Sequence, residues 1–183
     1  MRRTTWTAGL LTFALTATAA AQSRADVGTL VVAHGGGPEW DAQVLEVARQ
    51  VRTEGPVEVA FLMGPGARER RFQDAVARLV RAGADRIVVV PLLVSSHSGH
   101  YEQVRYLAGA MDSLDATMRH HLHMAGIERP SAAPPMVVTP ALDSAAEMAE
   151  ILAERYRAHA QSPGQEALLL VGHGPNDAET YAE

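Results

Sequence analysis

Short apolar runs rich in β-branched residues alternate with longer amphipathic stretches along most of this 183-residue chain, and this alternation strongly limits its fold. The runs are apolar on both faces, which is typical of parallel strands that helices cover on each side. Strand, helix and strand in regular succession predict βαβ units and an α/β fold with a doubly wound parallel sheet. The predicted strands cover residues 29–33, 57–62, 87–94, 136–139 and 167–171.

The stretches between these runs place apolar residues three and four positions apart, so that one face of a helix is apolar. Such stripes predict helices over residues 38–52, 68–82 and 143–159, and Gly83 ends the second of them. Residues 120–135 contain histidines, a glycine and three prolines, and this composition predicts a long loop.

The N-terminus differs from the rest of the chain. Arg2 and Arg3 precede an apolar stretch over residues 6–20, and three alanines offer a cleavage site before Gln22. This pattern is typical of a secretory signal peptide, so residues 1–21 are excluded from the fold and the protein is expected to be exported, to the periplasm. An uncleaved membrane helix is the alternative.

Charge and composition exclude several classes of partner. The formal charge is −5, and loss of Arg2 and Arg3 with the signal peptide would make it −7, which is a poor match for nucleic acid. The longest apolar run after the signal, 87–94, is far shorter than the roughly 20 residues that span a bilayer, so no membrane span is expected there. The chain has no cysteine, so any metal must be bound through nitrogen or oxygen.

One phrase occurs twice. "LVVAHGGG" at 30–37 returns as "LLLVGHGP" at 168–175, and in both an apolar run ends on a histidine followed by glycine. This recurrence predicts one full lobe over residues 27–160, followed by the truncated start of a second lobe at 166–183. Chance similarity between two strand ends is the alternative.

Histidines follow three of the predicted strands. His34 closes the first strand, His97 and His100 follow the third, and His173 closes the repeated strand. In open parallel sheets ligands bind beyond the carboxyl ends of the strands, where the strand order reverses, so these imidazoles are expected to share a metal or proton-transfer site. The glycines at 35–37 leave room for a flat ligand beside His34. His97 and His100 can face one site if their segment begins a helical turn.

Two other groups of residues allow more than one interpretation. Three arginines follow the second predicted strand, on the edge that carries His34, and either bind an anion or are solvated at a helix start. Three histidines near the middle of the chain form either a surface metal patch or the solvated end of a helix. The arginines are Arg68, Arg70 and Arg71, and the histidines are His120, His121 and His123.

Two enzyme classes with similar motifs are excluded. "HGGG" at 34–37 matches the oxyanion-hole phrase of esterases, but the chain has no G-x-S-x-G nucleophile elbow. Phosphohistidine phosphatases place an arginine before the strand-end histidine, and Ala33 stands there instead.

Four phrases together resemble the sirohydrochlorin chelatases, the class II chelatases that insert cobalt or iron into a modified tetrapyrrole. They are "LVVAHGGG" (30–37), "RIVVVPLLVSSHSGHYEQV" (86–104), "VTPALDSAAEMAEIL" (138–152) and "LLLVGHG" (168–174). The resemblance covers most of residues 27–183. It implies a chelatase-like fold of flavodoxin-like lobes, either two in one chain or a homodimer of single lobes, with the tetrapyrrole in the cleft.

The resemblance also implies a set of site residues. The catalytic and metal-binding histidines of the family lie after the first and third strands, which corresponds here to His34 and His97, with His100 as the second candidate. The divalent metal is a substrate, Co²⁺ or Fe²⁺, although imidazole also suits Ni²⁺ and Zn²⁺. The carboxylates of the tetrapyrrole would be met by Arg68, Arg70 and Arg71.

The chain also departs from the family pattern. Met63 stands at the end of the second strand, where the family often carries a glutamate. With the export signal, this departure favours an alternative function, an exported metal- or tetrapyrrole-binding protein without turnover.

Overall fold

The computed structural model describes residues 26–143 and 145–171. In this part of the chain four strands alternate with six α-helices. The strands are β1 (Asp26–Ala33), β2 (Val57–Phe61), β3 (Ala84–Leu92) and β4 (Met136–Val138). The helices are α1 (Pro38–Gln50), α2 (Pro65–Glu69), α3 (Phe72–Arg81), α4 (Gly99–Leu107), α5 (Ala116–Ala125) and α6 (Ala146–His159).

All strand pairs are parallel, and the sheet order is β2-β1-β3-β4. Ala33 at the end of β1 pairs with Phe61 on one side and Leu92 on the other, so these three strands end level with one another. The chain leaves β1 for β2 on one side and then crosses to β3 on the other. This reversal is the switch point of a flavodoxin-like sheet, and the predicted doubly wound α/β fold is confirmed.

The core lies on both faces of β1 and β3. Leu30, Val32, Ile87 and Val89 are fully buried in these two strands, as the apolar pattern predicts. Burying a side chain of this kind stabilises the fold by about 1.5–3 kcal/mol. The two strands that carry the candidate histidines at their ends are therefore the most firmly held part of the sheet.

The predicted helix over 68–82 is wrong as a single element. α2 ends at Glu69 and α3 begins at Phe72. The carbonyl of Arg70 accepts a hydrogen bond of 3.0 Å from the backbone N–H of Phe61 at the end of β2. This bond to β2 takes Arg70 out of helical geometry and separates the two helices.

The loop predicted over 120–135 is wrong in its first part, which belongs to α5. The Asp115 carboxylate caps this helix by accepting the backbone N–H groups of Thr117 and Met118. Gly126, in the left-handed conformation with φ of 67°, ends it. Both residues are ordinary helix signals, but the prolines that follow favoured a loop.

The C-terminal part of the described chain does not join the sheet. Residues 167–171 are coil rather than the predicted strand, and Leu168 to Val171 are each at least 55% exposed. α6, which begins at Ala146 rather than 143, has no buried residue. Residues 172–183, with His173, lie outside the described residues, so the second lobe remains a prediction. In the described ranges no helix is long and apolar enough to cross a membrane.

Candidate functional site

His34 is the first residue beyond β1 and is half-buried. Its backbone carbonyl accepts the N–H of Met63 at 2.8 Å, which holds the segment after β2 beside it. Its ring nitrogen Nδ1 lies 2.7 Å from the carbonyl oxygen of Gly35. A carbonyl can only accept, so Nδ1 carries the proton, and Nε2 of the neutral ring keeps the free lone pair.

The glycines after His34 form a turn that has no room for a side chain at its first position. Gly35 has φ of 88°, and a Cβ on it would overlap the carbonyl oxygen of Met63. The N–H of Gly36 donates at 2.9 Å to the buried carboxylate of Asp41 in the first turn of α1. The turn is therefore fixed from both sides, and with it the backbone next to His34.

His100 lies in the first turn of α4, whose N-cap Ser98 accepts the backbone N–H of Tyr101. The rings of His34 and His100 are in contact, with centroids 4.6 Å apart and planes at 86°. The contact follows from the register, because Leu92 ends β3 beside Ala33 and the next loop brings α4 back over the end of β1. Metal–imidazole bonds are about 2.0–2.1 Å long, so the separation of the two rings is within the reach of one shared ion.

The environment of His100 favours its neutral form. Burial lowers the pKa of His100 below its ordinary value, and the nearby charges of His34 and His121 lower it further, while the hydrogen bond that His100 donates to Gln103 opposes the shift. A neutral imidazole can bind a metal or accept a proton, whereas an imidazolium cannot. His100 can therefore bind a metal or accept a proton at a lower pH than an exposed histidine could.

Gln103 is a residue that the sequence interpretation did not single out. It is 1% exposed, and its Oε1 lies 2.9 Å from Nδ1 of His100. Its Nε2 donates at 2.8 Å to the carbonyl of Met118 on α5. The available signal was the spacing, because residues three apart on a helix are neighbours.

The position of His121 differs from both sequence interpretations, a surface metal patch and the solvated end of a helix, since both place its group at the surface. His120 and His123 are exposed, but His121 is half-buried on α5 and lies close enough to His100 to lower its pKa. Its Nδ1 is buried and has no hydrogen-bond partner. A third histidine therefore stands near the pair.

His97 is exposed in the loop between β3 and α4. This loop is tied to the segment after β4, because the backbone N–H and hydroxyl of Ser96 both donate to the Asp143 carboxylate. These bonds, with a smaller contribution from the charge of His97, lower the pKa of Asp143. It is His100, the second candidate in the sequence, whose ring the structure brings against His34.

The three arginines lie on the β2 side of β1, whereas His100 comes from the β3 side. Arg68 is exposed on α2, and Arg70 is half-buried at its end. Arg71 pairs with Asp74 at 2.7 Å across the first turn of α3. Binding of an anion by these side chains remains a prediction.

Across residues 26–143 and 145–171, no group of three or more histidine and carboxylate side chains is arranged to hold a metal ion. Two imidazoles alone would leave several coordination positions of an ion open. Open positions are what a site needs if the ion is to be passed to another ligand.

The model of the CbiX family matches residues 28–159, which include both histidines of the contact pair. The chain belongs to the CbiX family. Membership indicates a tetrapyrrole metal chelatase of the lyase class, with a divalent metal as substrate. The expected resemblance to class II chelatases is thereby confirmed for this CbiX chain. No curated protein matches it.

Proposed function

We propose that this CbiX-family protein inserts Co²⁺ or Fe²⁺ into sirohydrochlorin or a related tetrapyrrole. The observation that carries the proposal is the ring contact between His34 and His100 at the switch point of the sheet. Ligands of open α/β sheets bind at such a point, beyond the carboxyl ends of the strands. A pair of nitrogen donors suits either ion.

In the proposed site His34 and His100 hold the incoming ion. His97 is the alternative to His100, because it lies three residues earlier, in the loop that leads into α4. The ring contact favours His100, as does its lowered pKa, which keeps the nitrogen lone pair available. Divalent metals bind neutral imidazole, so a ligand that resists protonation retains the ion better in mild acid.

Insertion exchanges one set of nitrogen ligands for another. As the ion forms bonds to the macrocycle, two pyrrole N–H protons must leave, and neither oxidation nor a covalent intermediate is required. An imidazole released from the metal has a free lone pair and can accept one of these protons. The second proton passes to solvent or to another base.

The arginines supply local positive charge in a protein whose net charge is negative. The chain is acidic, with a formal charge of −5, and would repel a substrate that carries several carboxylates. We assign Arg68 and Arg70 to these carboxylates, with Arg71 as a weaker candidate because Asp74 already pairs with it.

The protein as a whole is proposed to act outside the cytoplasm, after removal of residues 1–21. Residues 166–183 are proposed to begin a second lobe that would close the cleft from the other side, and a homodimer would serve the same purpose. The exposed apolar residues Leu168 to Val171 support this, since such a run is normally covered.

The second candidate function is binding without turnover. Met63 favours it, because this position after β2 offers a thioether rather than a carboxylate that could accept a proton. The two functions make opposite predictions about how many equivalents of macrocycle are converted per protein molecule.

The test mixes the protein, at a small fraction of the macrocycle concentration, with sirohydrochlorin and Co²⁺ and follows the absorption of the macrocycle. Conversion of many equivalents per protein, above the rate without protein, is expected for the enzyme. A change that stops at one equivalent would reject catalysis and support the binding function. The same assay with Fe²⁺, kept anaerobic, compares the rates of insertion of the two metals.

A further inference from the structure

We propose that Gln103 is a positioning residue that fixes the tautomer of His100, so that His100 presents Nε2 rather than Nδ1 to the metal. The inference deepens the proposed function and rests on it for its use in chelation. The tautomer itself can be measured without any reaction.

The argument begins with the orientation of the Gln103 amide. Its nitrogen and oxygen could in principle be exchanged, but one of its two ends faces the carbonyl oxygen of Met118 at 2.8 Å. Two carbonyl oxygens at that distance would repel, so the NH₂ group faces Met118. The oxygen Oε1 must then be the end that faces His100.

The amide orientation determines where the proton of His100 lies. Oε1 of Gln103 is 2.9 Å from Nδ1 of His100 and can only accept a hydrogen bond. Nδ1 therefore carries the proton, and Nε2 of the neutral ring has the free lone pair. His34 reaches the same state through the carbonyl of Gly35. Both rings of the pair thus offer Nε2.

The packing of α4 on α5 makes this arrangement rigid. Gln103 is almost completely buried, so neither of its hydrogen bonds exchanges freely with water. α5 comes very close to the start of α4, where a Cβ on Gly99 would lie 2.7 Å from the sulfur of Met118. The two hydrogen bonds and this close approach hold Met118, Gln103 and His100 together.

Partners that orient metal-binding histidines have measurable effects. Removing one typically costs about 10–100-fold in metal affinity, because the ring loses its fixed orientation and tautomer. The same loss is expected here for Co²⁺ when residue 103 can no longer accept the hydrogen bond from Nδ1–H of His100.

The first measurement is the ¹⁵N spectrum of the imidazole rings at pH about 8.5, where an ordinary imidazole with pKa about 6.5 is neutral. The His100 signals, assigned by their absence in His100→Ala, distinguish a protonated Nδ1 from a protonated Nε2. The wild-type protein is expected to show Nδ1–H. A protonated Nε2, or an even mixture, would overturn the proposal.

Three variants separate the effect of Gln103 on the His100 tautomer from its effect on the packing of α4. Gln103→Leu keeps the volume but removes the acceptor, and is expected to lose the fixed tautomer and to bind Co²⁺ about 10–100-fold more weakly. Gln103→Glu keeps an acceptor for Nδ1–H and should retain the tautomer. Val104→Ala, at a fully buried neighbour on α4, is the packing control and should leave the tautomer and the Co²⁺ affinity unchanged.

The outcomes distinguish this inference from the proposed function. An unchanged tautomer in Gln103→Leu, or an equal loss of Co²⁺ affinity in Val104→Ala, would reject the role of Gln103. If the tautomer follows the prediction while no variant, nor the wild type, converts tetrapyrrole, then chelation is rejected and the positioning role stands.

Discussion

His34 and His100 each have Nδ1 engaged inside the protein, so the reactivity of both rings lies at Nε2. That histidines from two strand ends would meet was predictable, because parallel strands end at a common edge. The choice between His97 and His100 was not, since it depends on how the loop after β3 turns into α4. Gln103 was missed although His100 stands three residues before it on α4. The half-buried position of His121 was missed because it depends on how α5 packs against α4.

Replacing His34 by alanine is expected to abolish metal insertion, because one of the two proposed ligands is lost. The ring lies at the end of a strand and is half-buried, so the free energy of unfolding should change by only about 1 kcal/mol. Macrocycle absorption and urea unfolding measure the two quantities. Insertion at the wild-type rate would contradict the assignment of His34.

The stability of the protein should depend on the protonation of His100. Burial lowers its pKa in the folded state, so the unfolded chain binds this proton more readily. The contribution to stability is complete above the unfolded pKa of about 6.5 and is lost as the pH falls through the lower, folded value. In urea unfolding, wild type should therefore lose more stability on acidification than His100→Gln. Equal losses would show that the proton is bound equally well in both states.

The turn after β1 and the loop after β3 are the elements that bring the two rings together. The start of α1 and the end of α3 were predicted well, because Pro38 favours the start of a helix and Gly83 favours its end through local backbone geometry alone. The break between α2 and α3 was not, because the hydrogen bond from Phe61 to Arg70 joins the end of β2 to the end of α2 and lies outside any helix. Local periodicity carries no information about such a bond.

The glycine turn provides a test at this scale. Gly35→Ala should destabilise the protein by at least about 2 kcal/mol, because its φ of 88° is unfavourable for alanine and the new Cβ overlaps the Met63 carbonyl. Gly37→Ala is the matched control, since a Cβ there meets nothing within 4 Å. Urea unfolding of the two variants is the measurement. Equal stabilities would mean that the turn does not hold the conformation described.

The sequence predicts the parallel sheet as a whole more accurately than it predicts which terminal segments join the sheet. Alternating apolar runs predict the parallel sheet and the place of its switch point, because these depend on strand order and on burial from both faces. Residues 167–171 satisfy the same pattern but are exposed coil, and they pair with no strand of the described chain. Pattern alone identifies a segment that can form a strand, and a partner decides whether it does.

Export is the prediction that concerns the complete chain. When the full-length protein is produced in a bacterium with a periplasm, the periplasmic fraction should contain a form that begins at Gln22, because the alanines before it offer a cleavage site. Intact mass and N-terminal sequencing identify that form. A full-length protein confined to the cytoplasm would contradict the proposed localisation.

The central claim is that His34 and His100 bind one metal ion at the switch point of the sheet. X-ray absorption at the cobalt edge tests it directly, because imidazole ligands give a characteristic scattering pattern from which the number of imidazoles bound to the ion is obtained. Two imidazoles are expected for the Co²⁺-loaded wild type and for His97→Ala, and one for His34→Ala and for His100→Ala. The same imidazole count in wild type and in His100→Ala would contradict the claim.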